Sequence, residues 1–177
     1  PRKIQATDVW GANPIDQLLC RIEFRSLKYD GQFTPPSLQG TLVYPAYFGV
    51  TDWGGDTVDP TRQIVVQNMN HIPWVAKLIP EKVALADKLI GPWGVKGNPP
   101  GKAVGSMRPQ YFTPFAVSIR PWINAFGVPC LGPPFGEIAA LDMKKRAVLW
   151  RHSFGTTRHD GPFNTYENLP LPTGIFS

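Results

Sequence analysis

The sequence has no apolar run approaching the roughly 18 residues that a membrane-crossing helix needs. Nor does it open with a charged head, an apolar stretch and a cleavage site, so no secretory leader is read from it. It contains no CxxC pair and no Cys/His cluster, which excludes a zinc ribbon or a dithiol redox motif. The two cysteines, Cys20 and Cys130, lie far apart, and a disulfide between them is allowed but not required. Basic tracts are almost absent: Lys144, Lys145 and Arg146 form the single run of three, and the net charge of +5 is otherwise scattered. That distribution describes a solvated surface and gives no reason to expect a nucleic-acid partner. Asp52, Asp56 and Asp59 lack the Asp-x-Asp-x-Asp-Gly loop of a calcium hand.

Proline and glycine are abundant instead. With 20 Pro and 17 Gly in 177 residues they make up about a fifth of the chain, while 12% aromatic residues, six of them Trp, supply a core. A proline about every nine residues excludes a helical bundle, since each interior proline costs a helix about 3 kcal/mol. Short strands joined by turns are expected. The chain opens at Pro1 without an initiator Met and ends Pro172-Thr173-Gly174-Ile175-Phe176-Ser177 without a closing element, so it reads as a piece of a longer protein.

Asn13-Pro14 followed by Ile15, Leu18, Leu19 and Ile22 predicts one short amphipathic helix over 14–25, capped by Asn13. Gly40-Thr41-Leu42-Val43-Tyr44 is β-rich, and residues 56–58 and 63–68 parse as two strands around the turn Asp59-Pro60-Thr61-Arg62. Between 77 and 121 the periodicity fades among Gly-Pro punctuation, which predicts a long irregular excursion packed by Trp93, Tyr111, Phe112, Phe115 and Trp122. Order returns in a hairpin, residues 135–143 and 147–151, turning at Lys144-Lys145-Arg146. Asp142 can accept N–H bonds across that turn, and Trp150 needs a neighbouring sheet to pack on, which implies stacked, repeated sheets.

Ala140, Asp142 and Trp150 match the tryptophan-docking motif of quinoprotein β-propellers, with Lys145 and Arg146 where that motif has Thr and Gly. Further segments extend the likeness: Asp8-Val9-Trp10-Gly11-Ala12, Asp16 to Arg21, Phe33-Thr34-Pro35-Pro36, Gly40 to Pro45, Trp53-Gly54-Gly55 with Val58-Asp59-Pro60, Lys77 to Pro80, Pro133-Pro134-Phe135-Gly136 and Phe154-Gly155-Thr156. Nearly the whole chain thus resembles the membrane-bound, pyrroloquinoline-quinone-dependent glucose, quinate and shikimate dehydrogenases. The resemblance implies an all-β fold: two to three blades of an eight-bladed propeller, placed late in the parent chain, with one short helix and one irregular excursion. It further implies a parent enzyme at the periplasmic face of the bacterial inner membrane. Such an enzyme is tethered by a domain outside this chain, carries the quinone and calcium, oxidises a sugar, polyol or cyclitol, and passes electrons to ubiquinone. The family's catalytic Asp and a cofactor-contacting Lys are expected upstream of Pro1, so no catalytic residue or metal ligand is assigned here.

Within the chain, Trp53-Gly54-Gly55 is the cofactor-side candidate, because adjacent glycines let backbone N–H groups approach a carboxylate-bearing quinone. Without the resemblance it is an ordinary turn. Asn68, at a strand end, offers an amide to quinone or substrate, and Trp74 and His71 are candidate pocket residues. The plain alternative for these three is a strand-ending Asn cluster beside a core Trp. His152 and His159 lack a third ligand at metal spacing and read as surface residues. Two other fold-level readings compete: a non-catalytic propeller scaffold, and a β-sandwich lectin, whose regular strand spacing the middle third lacks.

Overall fold

The computed structural model describes residues 3–46, 51, 55–87, 106–110, 112–124 and 127–154. Its elements run α1 (Pro14–Ser26), β1 (Thr41–Val43), β2 (Asp56–Asp59), β3 (Ile64–Asn70), β4 (Trp74–Pro80), α2 (Glu81–Ala86), β5 (Ser106–Pro109), β6 (Phe115–Pro121), β7 (Gly136–Asp142) and β8 (Ala147–Ser153). The strands form two four-stranded antiparallel sheets, ordered β1-β4-β6-β5 and β2-β3-β7-β8. Three residues, 71–73, carry the chain from the second sheet to the first, where Pro73 O accepts from Trp122 N at 2.8 Å.

The two hairpins of the second sheet share one turn chemistry. The Asp59 carboxylate accepts from Thr61 N and Arg62 N, each at 3.0 Å, and the Asp142 carboxylate accepts from Lys145 N at 2.8 Å. Four residues beyond each Asp the backbone turns left-handed, at Gln63 (φ 55) and Arg146 (φ 53). The backbone N–H of Arg62, helped by its guanidinium, holds the Asp59 carboxyl below its ordinary range. Arg146 thus occupies the position where the docking motif carries Gly, and it adopts the conformation Gly takes most easily.

The irregular excursion expected over 77–121 is corrected by the structure. Most of β4, then α2, β5 and β6 fall inside it; residues 88–105 lie outside the described residues. β4 pairs β6 from Trp74↔Pro121 to Pro80↔Phe115, and Pro80, Pro109 and Pro121 all stand at strand ends. Proline is tolerated there and reads as a breaker only when pairing partners are unknown. The partners are far apart in sequence, so no local turn announces them.

The predicted helix forms, with the Asn13 side chain accepting from Asp16 N at 2.9 Å, but its packing is inverted. Ile15, Leu18, Leu19 and Ile22 are exposed, Ile15 by 73%, whereas Asp16 and Cys20 are 2% exposed. An apolar stripe ordinarily turns to the core; here specific bonds on the opposite face decide. Cys20 is disulfide-bonded to Cys130. The Asp16 carboxylate accepts from Ala12 N at 2.9 Å and from the Asn124 amide. Glu23 accepts from Trp122 Nε1 at 3.1 Å and pairs with Arg120. Around these lie Ile4, Val9, Leu42, Val75 and Trp122, with Phe24 and Tyr29 packed against them.

Two outcomes are expected. Cys20→Ser, measured by urea unfolding under non-reducing conditions, lowers stability by about 2–5 kcal/mol, because the bridge closes a loop of about 110 residues. Arg146→Gly relieves the left-handed backbone and raises the unfolding free energy by about 1 kcal/mol, read as a higher urea midpoint.

Candidate functional site

At one end of the second sheet the start of β2, the end of β3, the start of β7 and the end of β8 come together, away from the two hairpin turns. Met69 faces Glu137 across the ladder, and Glu137 faces Ser153, so Met69, Glu137 and Arg151 share one face of the sheet. A cleft of about 780 Å³ opens on that face, within the range of small-molecule sites. Its opposite wall is the segment Asp8 to Trp10. That segment is held by Trp10 N donating to Cys130 O at 2.9 Å and Gly132 N donating to Asp8 O at 3.3 Å. Gly11 lets the chain turn tightly into α1, since a Cβ there would lie 2.2 Å from Gln17 N.

His71 is among the residues lining the cleft. Its backbone N–H donates to Phe135 O at 2.8 Å, and Asn70 Oδ1 accepts from Ile72 N at 2.9 Å, shaping the turn that presents the ring. Nε2 is 2.7 Å from Glu137 Oε2, and Nδ1 is 3.4 Å from the Tyr44 hydroxyl. Arg151 Nε lies 3.8 Å from the other carboxylate oxygen. The His71 and Glu137 side chains keep only 20% and 13% of their surface, so this polar chain is mostly withdrawn from water. It joins the segment after β1, the 71–73 crossover, β7 and β8 through the His71–Glu137 pair.

The sequence candidates separate. His71 lines the cleft. Trp74, expected in the pocket wall, is corrected to the core: it is 4% exposed and packs with Ile72, Val128 and Phe135. Asn68 pairs with Ile138, one residue out of phase with Met69 and Glu137, and so projects to the other face of the sheet. Trp53 and Gly54 lie outside the described residues. Gly55, just before β2, has φ +59 and open space where a Cβ would be, which suits a backbone approached closely by a planar ligand. Among the described residues no group of three His, Cys, Asp or Glu is placed to hold a metal ion. Glu137, Tyr44 and Arg151 were not foreseen; a carboxylate just after Pro-Pro-Phe-Gly carries no spacing signal toward a histidine 66 residues away.

Trp150 stands on β8, whose seven residues are all exposed, stacked near the His152 ring at 5.5 Å. Two four-stranded antiparallel sheets, the second with Trp150 exposed on its edge strand, fit part of a repeated-sheet protein, a β-propeller.

Comparison with known proteins specifies which. Residues 1–177 match the family model for the glucose/ethanol/alcohol dehydrogenase β-propeller domain, the pyrroloquinoline quinone family, and the chain belongs to that family. It is 41% identical to a quinoprotein glucose dehydrogenase of Escherichia coli, over 92% of this chain and 20% of the relative. It is 38% identical to a glycerol dehydrogenase large subunit of Gluconobacter oxydans, over 97% and 23%, and 33% identical to a probable quinate dehydrogenase (quinone) of Xanthomonas campestris, over 98% and 21%. The chain therefore spans about a fifth of the length of the curated relatives it matches. No solved structure matches.

Because Glu137 holds the His71 N–H inside the fold, Glu137→Ala leaves a half-buried donor without its acceptor. It is expected to cost about 1–3 kcal/mol, read as a lowered urea midpoint.

Proposed function

We propose that this chain is a late segment, two to three blades, of a quinoprotein dehydrogenase that oxidises a sugar, polyol or cyclitol, glucose, glycerol and quinate being the substrates its relatives' names carry. The observation that carries the reading is the match of all 177 residues to the quinoprotein propeller family. When bound, the quinone supplies a two-electron acceptor for alcohol oxidation, with calcium polarising it. Trp53, Gly54 and Gly55 are the proposed contacts of this segment with it, and Asn68 the more distant one. The general base, the calcium ligands, the ubiquinone site and the membrane tether belong to parts of the parent protein outside this sequence. A disulfide in the core fits an oxidising compartment, which favours the periplasmic face of the inner membrane.

The test is titration of the parent protein with pyrroloquinoline quinone and calcium. Saturable binding, with dye-linked oxidation of glucose, glycerol or quinate, is the expected result, and Gly55→Val should weaken quinone binding about tenfold or more by adding a strained, branched side chain at φ +59. A parent protein that binds no quinone is a propeller scaffold, and the enzyme reading fails.

A further inference from the structure

The outward face of α1 carries an apolar stripe with a basic border. At about 100° per residue Ile15, Leu18, Leu19 and Ile22 fall on one side of the helix, and each is more than half exposed. Arg21 and Arg25 stand three residues after Leu18 and Ile22, so they run along one edge of the stripe, and Lys28 follows just past the helix end. All three cations are exposed, and none has an ion-pair partner among the described residues. The two acids of the helix lie on the other side, where Asp16 is 2% exposed and Glu23 pairs with Arg120. The Gln39 side chain donates to Ser26 O at 2.6 Å, which brings its neighbour Leu38, itself exposed, beside the last turn of α1.

We infer that α1 is a membrane-surface helix: it lies flat on an anionic bilayer, its aliphatic stripe at the acyl boundary and Arg21, Arg25 and Lys28 among the lipid phosphates. An interfacial helix has this division, apolar on one side and basic on the other or at the border. Each cation adds attraction to an anionic leaflet, and an arginine can keep its stem in the apolar layer and its guanidinium among the headgroups. Charge decides against two other occupants. A second copy of the same face would bring arginines to arginines with no acid between them. Another protein surface would take the cations out of water, which is costly unless that surface supplies matching acids, whereas a bilayer leaves them solvated. The inner face makes the contact practicable. The Cys20–Cys130 bridge and the bonds of Asp16 and Glu23 fasten the helix from behind, so changes on the outer face leave those attachments in place. The inference does not rest on the dehydrogenase reading, since neither quinone nor substrate takes part in the contact.

The contact is read at the helix itself, because an anchor elsewhere in the parent protein would dominate its overall membrane binding. Leu19→Cys in the full-length parent is labelled with a polarity-sensitive dye and reconstituted into vesicles, and the wild-type parent carried through the same labelling is the blank. In vesicles of phosphatidylglycerol and phosphatidylcholine the dye is expected to report an apolar setting and to be quenched by a nitroxide on the lipid acyl chain. In phosphatidylcholine alone, or at high salt, that quenching falls. Arg21→Glu combined with Arg25→Glu is expected to lower the docked-to-undocked ratio about tenfold or more, and Leu18→Ser combined with Ile22→Ser to do the same, each with the unfolding midpoint unchanged. A dye that stays in water, quenched by aqueous iodide alone, overturns the inference. So does a dye that is shielded yet untouched by the lipid nitroxide, the result if another part of the parent or a second copy covers α1. Lipid quenching that the charge reversal leaves unmoved overturns it as well.

Discussion

The inner face of α1 is the constraint on which the rest of the architecture depends. Three attachments leave that face: the Cys20–Cys130 bridge, the Asp16 contacts to Ala12 and Asn124, and the Glu23 contacts to Trp122 and Arg120. Together they tie the helix to β6 and to the segment that precedes β7, elements about a hundred residues later. Buried carboxylates are costly unless fully partnered. Asp16 is buried and Glu23 partly so, and both are met by donors from one distant stretch, Arg120 to Asn124, so the bonds specify a single docking of the helix. The apolar stripe then has no say, and it faces outward.

That fastening also builds the cleft. With Cys130 fixed, Trp10 N bonds its carbonyl and Val9 bridges Leu131, which lays the segment Asp8 to Trp10 across from Glu137 and Arg151. The opposite wall comes from the crossover at 71–73, where a strand leaves one sheet for the other and cannot be covered by ladder bonds. His71 fills that gap by bonding its backbone to Phe135 and its ring to Glu137. The polar chain in the cleft and the junction of the sheets are therefore the same atoms.

What could be read in the sequence was whatever is local. The cap at Asn13, the Asp-led turns at 59 and 142, both hairpins and the all-β class follow from side chains within four residues of one another, and each is present. The strands within 77–121 were hidden because β4 and β6 meet only across a long separation and end in prolines. The helix was legible but its orientation was not, since periodicity shows which residues share a face and not which face has partners. The candidate site divides in the same way. His71 could be nominated from its type and place, and Trp74 could not be told from a core residue. Glu137, the carboxylate paired with the His71 ring, comes from a strand 66 residues on.

Substituting Arg for Gly in the second turn bears on how the blades hold together. The motif's glycine serves the turn alone, whereas its Asp and Trp serve the turn and the neighbouring sheet respectively. At Arg146 the left-handed backbone survives without Gly, at a cost of about 1 kcal/mol, because Asp142 still bonds Lys145 N and Met143 N donates to Gln63 O at 2.9 Å. That last bond links the two hairpin turns to each other, so the strain at Arg146 is carried by the sheet as a unit. The position of Trp150 follows from the β7 register, where it stands opposite Ala140 despite the bulge that follows.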